Sequence, residues 1–283
     1  MISHPSVKLN LGLSVLRKRP DGYHDIETLF IPYDGISDTL EIIPADAWSE
    51  TSASIFSHYS AGGSLAQSIS EDGKLMITIA RREGVDWDPL KDLTAKAYRL
   101  LDEEFSLPSV KIFLEKTSPV GAGLGGGSSD AAFALRMLSD LFALGLSDED
   151  LASRAARLGS DCAFFVYNRP MLGSGRGEVL EPYGIDLSAY AIKVVVPAGV
   201  AVSTADAYRG IVPRELSAPQ MPFRDALTLP VERWRDSLVN DFEATVFKKY
   251  PEVAQAKQRL YDEGAVYASM SGSGSALFGL FKR

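Results

Sequence analysis

Cysteine is almost missing from this chain: Cys162 is the one example among 283 residues. A lone thiol forms no internal disulfide, which excludes a disulfide-stapled scaffold and fits a reducing compartment. Histidine is nearly as scarce, at three residues. No cysteines or histidines stand at metal-ligand spacing, so no structural zinc site is expected and no metal-ligating residue is singled out. Positive charge is in deficit: 29 Lys and Arg against 37 Asp and Glu give a net charge of −8. That balance speaks against nucleic acid or an anionic membrane as the main partner. No apolar run reaches the ~20 residues that a membrane-crossing helix needs. The opening residues Met1-Ile2-Ser3-His4-Pro5 lack the basic-then-apolar order of a secretory signal, and a cytoplasmic protein is expected. Repeats and low-complexity tracts are absent too.

Glycine, by contrast, is concentrated. Residues Pro119-Val120-Gly121-Ala122-Gly123-Leu124-Gly125-Gly126-Gly127-Ser128-Ser129-Asp130 place five glycines within seven positions, and strong helix formers follow. Glycine permits positive φ and leaves no Cβ between backbone N–H groups and a ligand. A turn of that kind opening a helix aims unpaired N–H groups and the positive dipole end at one point. A phosphate fits there, and a nucleoside triphosphate is the expected ligand. A flexible linker is the bland alternative, but linkers rarely run straight into a patterned helix. Here Ala131, Leu135, Leu138 and Phe142 mark a buried helical stripe, with Ser128 or Ser129 available as a cap. Gly121, Gly123 and Gly126 also satisfy the short dinucleotide fingerprint. That fold wants an acidic residue after a further strand about 20 residues on, and no β-rich run sits there. No lysine follows the glycines, as the other familiar phosphate loop requires.

The rest of the chain reads as mixed helices and strands without regular alternation, which favours an α+β fold. Val7, Leu9, Leu11, Leu13 and Val15 alternate with Lys8, Asn10, Gly12 and Ser14, the period of a half-buried strand. Pro20-Asp21-Gly22 turns the chain. Further strands are expected at 26–31, 39–43, 75–80, 110–115, 163–167, 192–196, 267–270 and 276–281. Helices are expected at 93–105, from the glycine loop to about Leu144, and from Ser147, with Asp150 as capping partner, to a stop at Gly159. The polar stretch 49–67 suggests no function.

Several residues are candidates for chemistry. Lys8 and Asn10 share one strand face, although an exposed strand lysine serves no purpose beyond solvation. Asp161 precedes an apolar run, where its carboxylate must be paired or act as a turn cap. Tyr23 and His24 follow the turn; such a pair is often mere surface or satisfied core. Ser271-Gly272-Ser273-Gly274-Ser275 is either a hairpin turn or a second set of backbone donors.

Taken together, Lys8-Leu9-Asn10-Leu11, Asp21-Gly22-Tyr23-His24, Gly121–Ala132, Gly159-Ser160-Asp161 and the final Ser-Gly-Ser-Gly resemble the motifs of the GHMP kinases. Their order spans nearly the whole chain. The Asp-Gly-Tyr-His element points to the branch that phosphorylates the 2-hydroxyl of a cytidine-diphosphate-linked methylerythritol in non-mevalonate isoprenoid synthesis. The resemblance implies a two-domain architecture. Residues 1–160 would form a mixed-sheet domain carrying the phosphate loop, and 161–283 a smaller, ferredoxin-like α/β sandwich. It implies ATP and Mg²⁺ as cofactors, a small-molecule acceptor and a monomer or weak homodimer. Asp161 would take the hydroxyl proton and Lys8 would hold that carboxylate. Pro119–Ser129 would cradle ATP. Tyr23 and Tyr208 would stack on the cytosine, His24 would bond its edge, and Asn10, Thr204 and Gly272 would contact the substrate. Adenine is expected near Asp92–Lys96, by position only. Two departures stand out: Cys162-Ala163 replaces a Val-Pro or Ile-Pro pair, and Asp130 stands where this branch often has Asn. A kinase for a small acid would have no use for Tyr23-His24, and a catalytically silent relative would not need both Lys8 and Asp161.

Overall fold

The computed structural model describes residues 1–48, 59, 64–216 and 221–283. Most of the polar stretch 49–67 therefore lies outside the described residues. Contacts within the chain group it into two compact units that interleave in sequence, unlike a single cut at residue 160. The first comprises Met1–Val7, Tyr33–Val120 and Gly125–Asn168; the second comprises Lys8–Pro32, Gly121–Leu124 and Arg169–Arg283. Among the described residues, no helix is long and apolar enough to cross a membrane.

The first unit is built on a five-stranded sheet, in the order β1 (Ile2–Ser3), β4 (Thr39–Pro44), β7 (Val110–Glu115), β6 (Leu75–Ala80) and β5 (Leu65–Ile69). Strands β6 and β7 run parallel, with Leu75 opposite Val110; the other pairings are antiparallel. A parallel pair needs a long crossover, and helix α1 (Leu93–Phe105) supplies it. Asp92 caps α1 by accepting the Thr94 N–H at 2.9 Å. Three more helices follow: α2 (Gly126–Leu141), α3 (Asp148–Leu158) and α4 (Cys162–Tyr167). The expected capping box is present at α3, where Ser147 and Asp150 exchange side-chain and backbone bonds.

Three expectations are corrected in this unit. Residues 163–167 form helix α4 rather than a strand. Cys162 through Val166 are all buried, and a short apolar run buried all round has no period to betray its type. Helix α2 stops at Leu141, and Ala143 turns left-handed at φ 50°. Neither serine caps α2: its N-cap is Gly125 at φ 73°, with no side-chain cap.

The second unit holds a four-stranded sheet, β2 (Ser6–Lys18), β3 (His24–Ser37), β8 (Met171–Ser174) and β9 (Val179–Pro182), in that order. It also holds a three-stranded antiparallel sheet in which β12 (Leu277–Lys282) lies between β10 (Tyr190–Val195) and β11 (Tyr267–Met270). Its helices are α5 (Thr204–Arg209), α6 (Phe223–Leu227), α7 (Trp234–Ser237), α8 (Glu243–Lys249) and α9 (Pro251–Asp262). Val253, Ala256 and Leu260 of α9 pack with Met270, Leu277, Phe242 and Val246 into one core. The alternation in β2 is borne out for the apolar face, where Val7, Leu9, Leu11 and Val15 are fully buried. The polar face is not solvated. Lys8 and Asn10 are only 3% and 1% exposed.

Candidate active site

The buried polar face of β2 is where the second unit gathers its candidate functional groups. Lys8 Nζ donates to the Asn10 side-chain oxygen and, at 3.0 Å, to the Gly123 carbonyl. Asn10 Nδ2 donates to Thr28 Oγ1 at 2.9 Å, and Thr28 passes its own proton to the Gly12 carbonyl at 2.6 Å. Ser271 Oγ donates to the Gly123 carbonyl at 3.0 Å and accepts the Asn10 N–H at 3.3 Å. Every polar atom in this knot that burial would otherwise penalise has a partner. Lys8 also stands 5.4 Å from the centroid of Phe30.

Two glycines make that closeness possible. Gly123 has φ 81°, and a Cβ there would lie 2.1 Å from the Ser271 carbonyl oxygen. Gly272 has φ 54°, and a Cβ there would lie 3.3 Å from Lys8 Nζ and 3.4 Å from Asn10 Oδ1. Asn240 fixes the same turn by donating to the Met270 and Gly272 carbonyls at 2.7 and 2.8 Å. Thr204, the first residue of α5, brings Oγ1 to 3.0 Å from Ser273 Oγ. Lys8, Asn10, Gly123, Thr204 and Gly272 are therefore collected around one turn.

One helical turn beyond Thr204, Tyr208 stacks on His24, with ring centroids 4.7 Å apart and planes 17° apart. The edge of Phe242 meets Tyr208 at 4.7 Å and 85°. Burial, with a smaller contribution from Lys18, lowers the His24 pKa from its ordinary value. Tyr23 is 57% exposed, and the Arg176 guanidinium lies 5.0 Å from its ring centroid. Arg176 is held there by Glu178, whose Oε1 accepts its Nε–H at 3.3 Å.

In the first unit the N-terminus of α2 is the salient feature. The first N–H groups of a helix have no intrahelical acceptor, and here no side chain caps them. Gly121, Gly123 and Gly125, all at positive φ, lead the chain into that end. Ala122 and Leu124 between them are buried, whereas Val120 is 52% exposed. Pro119, Gly127, Ser128 and Ser129 complete the stretch; Ser129 N–H already serves the Gly125 carbonyl at 2.9 Å. Ser128 hydrogen-bonds the Cys162 thiol, and burial pushes that thiol up to about 11. Asp161, the residue before Cys162, is thereby set beside the first turn of α2, at the N-cap of α4 rather than at a strand edge. Lys8 belongs to the second unit and Asp161 to the first.

Sequence reasoning missed Thr28, Asn240 and Arg176. The first two are ordinary polar residues whose partners are distant in sequence, and nothing local marks them. The tight loop around Gly175 gave a hint of Arg176 that went unused.

Comparison with known proteins decides the family. Residues 92–169 match the GHMP kinases N terminal domain and residues 230–283 the GHMP kinases C terminal domain. The 4-diphosphocytidyl-2-C-methyl-D-erythritol kinase of Azobacteroides pseudotrichonymphae is 42% identical over 283 residues, covering 100% of this chain and 94% of its own. This chain belongs to the GHMP kinases, in the 4-diphosphocytidyl-2-C-methyl-D-erythritol kinase branch. A second kinase of that branch, from Cytophaga hutchinsonii, is 43% identical, with 99% of this chain and 92% of its own covered. A crystal structure of a 4-(cytidine 5'-diphospho)-2C-methyl-D-erythritol kinase superposes with a TM-score of 0.74 at 31% identity, covering 99% of this chain and 90% of that one. GHMP kinases use ATP, and the uncapped, glycine-led N-terminus of α2 is of the type that receives phosphate.

Proposed function

We propose that this chain transfers the terminal phosphoryl group of ATP to the 2-hydroxyl of 4-diphosphocytidyl-2-C-methyl-D-erythritol. The observation that carries the reading is the Lys8–Asn10–Gly123–Ser271 knot. It buries a fixed ammonium beside a glycine turn, in a chain whose named relatives are kinases for that substrate.

Each residue then has a physical task. Asp161 accepts the proton of the 2-hydroxyl, which makes the oxygen a competent nucleophile. Lys8 supports the carboxylate and favours the developing alkoxide; because Asn10 and Gly123 hold its ammonium, little reorganisation is needed during reaction. The backbone N–H groups at the start of α2 stabilise charge on the transferring phosphoryl group, where positioning and electrostatics supply most of the acceleration. Gly121, Ala122, Gly123, Leu124, Gly125, Gly126 and Gly127, with Pro119, Val120, Ser128 and Ser129 flanking, form the cradle. Magnesium, arriving with the triphosphate, neutralises phosphate charge; such ions keep mostly water and phosphate oxygens as ligands. Among the described residues, no group of three His, Cys, Asp or Glu side chains is placed to cage it.

The cytidine end falls to Tyr23, His24 and Tyr208. Aromatic faces gain from stacking on any base, so hydrogen bonds must supply the selectivity for cytosine. A neutral His24 offers one donor and one acceptor to the base edge. Asn10, Thr204 and Gly272 take the polar groups of the methylerythritol. A panel of 4-diphosphocytidyl-2-C-methyl-D-erythritol, mevalonate, homoserine and galactose, each with ATP and followed by ADP release, tests the reading. Turnover of the cytidine compound alone is expected; turnover of another acceptor in its place overturns it.

A further inference from the structure

Behind the first turn of α2, four polar side chains are buried that the proposed reaction does not use. Asp38, Lys116, Ser118 and Asp130 are at most 5% exposed. Lys116 Nζ donates to Asp130 Oδ2 at 2.6 Å, to Ser118 Oγ at 3.0 Å and to Asp38 Oδ2. Asp38 Oδ1 accepts the N–H groups of Thr117 and Ser118, each at 2.7 Å, and Ser118 Oγ donates to Asp38 Oδ2 at 2.6 Å. Thr117 and Ser118 lie just ahead of the glycine stretch, and Asp130 lies on α2 just after it. One ammonium thus ties the chain entering the stretch to the helix leaving it. Packing at the junction is tight: a Cβ on Gly126 would lie 2.3 Å from Ser118 Oγ.

We propose that Asp38, Lys116 and Asp130 form a clasp that sets the direction of the first α2 N–H groups, a positioning device for ATP that does not itself touch nucleotide. The inference rests on the reading of that helix end as the phosphate site. One buried ammonium can compensate one carboxylate; a second acid that shares it is less well compensated. The hydrogen bonds say which acid is the better compensated. Asp38 collects two backbone N–H groups, the Ser118 hydroxyl and Lys116, whereas Asp130 receives Lys116 alone and its Oδ1 has no partner. Burial pushes the Asp130 carboxyl well above the usual range, with the Lys116 charge opposing it. Burial also acts most strongly on Asp38, but the Lys116 charge and the donors from Lys116 and Ser118 outweigh it and leave that carboxyl lowered. For Lys116 the two carboxylates likewise outweigh desolvation, and its pKa is raised. Asp38 is thus the better-compensated partner of Lys116, and Asp130 is the more weakly held one, the tie that reaches α2.

The test compares Asp130→Ala and Asp130→Asn in the full chain, with ATP and cytidine 5′-diphosphate titrated separately by calorimetry. Asp130→Ala keeps the Asp38–Lys116 pair and loses only the tie to α2. Its ATP dissociation constant should rise about tenfold, the scale of one lost hydrogen bond to a charged group, while that of cytidine diphosphate stays within about twofold. Asp130→Asn retains a neutral oxygen for Lys116, so its affinity for both nucleotides should stay within about twofold of the parent. Unchanged ATP binding in Asp130→Ala overturns the clasp, as does equal weakening of both nucleotides. An Asp130→Asn variant as weak as Asp130→Ala also overturns it, and that comparison with the parent stands even if Asp130→Ala does not fold. A parent protein that binds cytidine diphosphate but not ATP overturns the phosphate-site reading itself, and the clasp with it.

Discussion

Lys8 Nζ donates a 3.0 Å hydrogen bond to the carbonyl oxygen of Gly123, 115 residues later in the chain. The bond couples β2 to the glycine turn that precedes α2 and fixes a buried ammonium beside it. Lys8→Met keeps the apolar stem and removes the charge. Its kcat is expected to fall by ~100-fold or more, the range for a group acting on charge in the transition state, with the ATP KM little changed. Steady-state kinetics check this; a normal kcat removes Lys8 from the reaction.

Asp161 stands at the N-cap of α4 and makes no side-chain capping hydrogen bond there. Asp161→Asn keeps the shape and abolishes the basicity. Cytidine-substrate affinity should persist while kcat drops by ~100-fold or more, the usual scale of lost general-base catalysis. Single-turnover measurements separate the two, and unchanged turnover contradicts the assignment.

Tyr23 carries Arg176 over its ring and is expected to offer the substrate base a stacking surface. Tyr23→Ala should raise the KM for the cytidine substrate by about tenfold, the effect of losing one stacked base at 1–3 kcal/mol, without altering the ATP KM. A shift in the ATP value instead places the ring elsewhere.

His24 is lowered from the ordinary value of 6.5, chiefly by burial and then by Lys18. It therefore stays neutral at pH 7, and the unfolded chain takes up its proton before the folded one does. Acidification through the usual histidine range thus costs stability, and protonation removes the acceptor nitrogen from the base site. The KM for the cytidine substrate should be flat from pH 7 to 8 and rise as the pH falls below 6.5. In His24→Gln that rise should vanish; a rise that persists assigns the titration to another group.

Much of this is legible in the amino-acid sequence. The glycine stretch, the β2 alternation and the Ser147–Asp150 capping box are local patterns, and local patterns survive folding. Burial of Lys8 was not legible, because Ser271 and Gly272 cover it from the far end of the chain. The clasp was equally hidden: Asp38 and Lys116 meet across 78 residues, and neither carries a motif. Helix α4 failed for the opposite reason, since its buried apolar run offers no period to read.

The most direct test of the account is the position of the phosphate in the product. In 4-diphosphocytidyl-2-C-methyl-D-erythritol, the carbon bearing the 2-hydroxyl also carries the methyl group and therefore no hydrogen. Phosphorus NMR of the product formed with ATP should show a new phosphomonoester without three-bond coupling to a carbinol proton. A monoester coupled to such a proton, or no new phosphomonoester at all, contradicts the account.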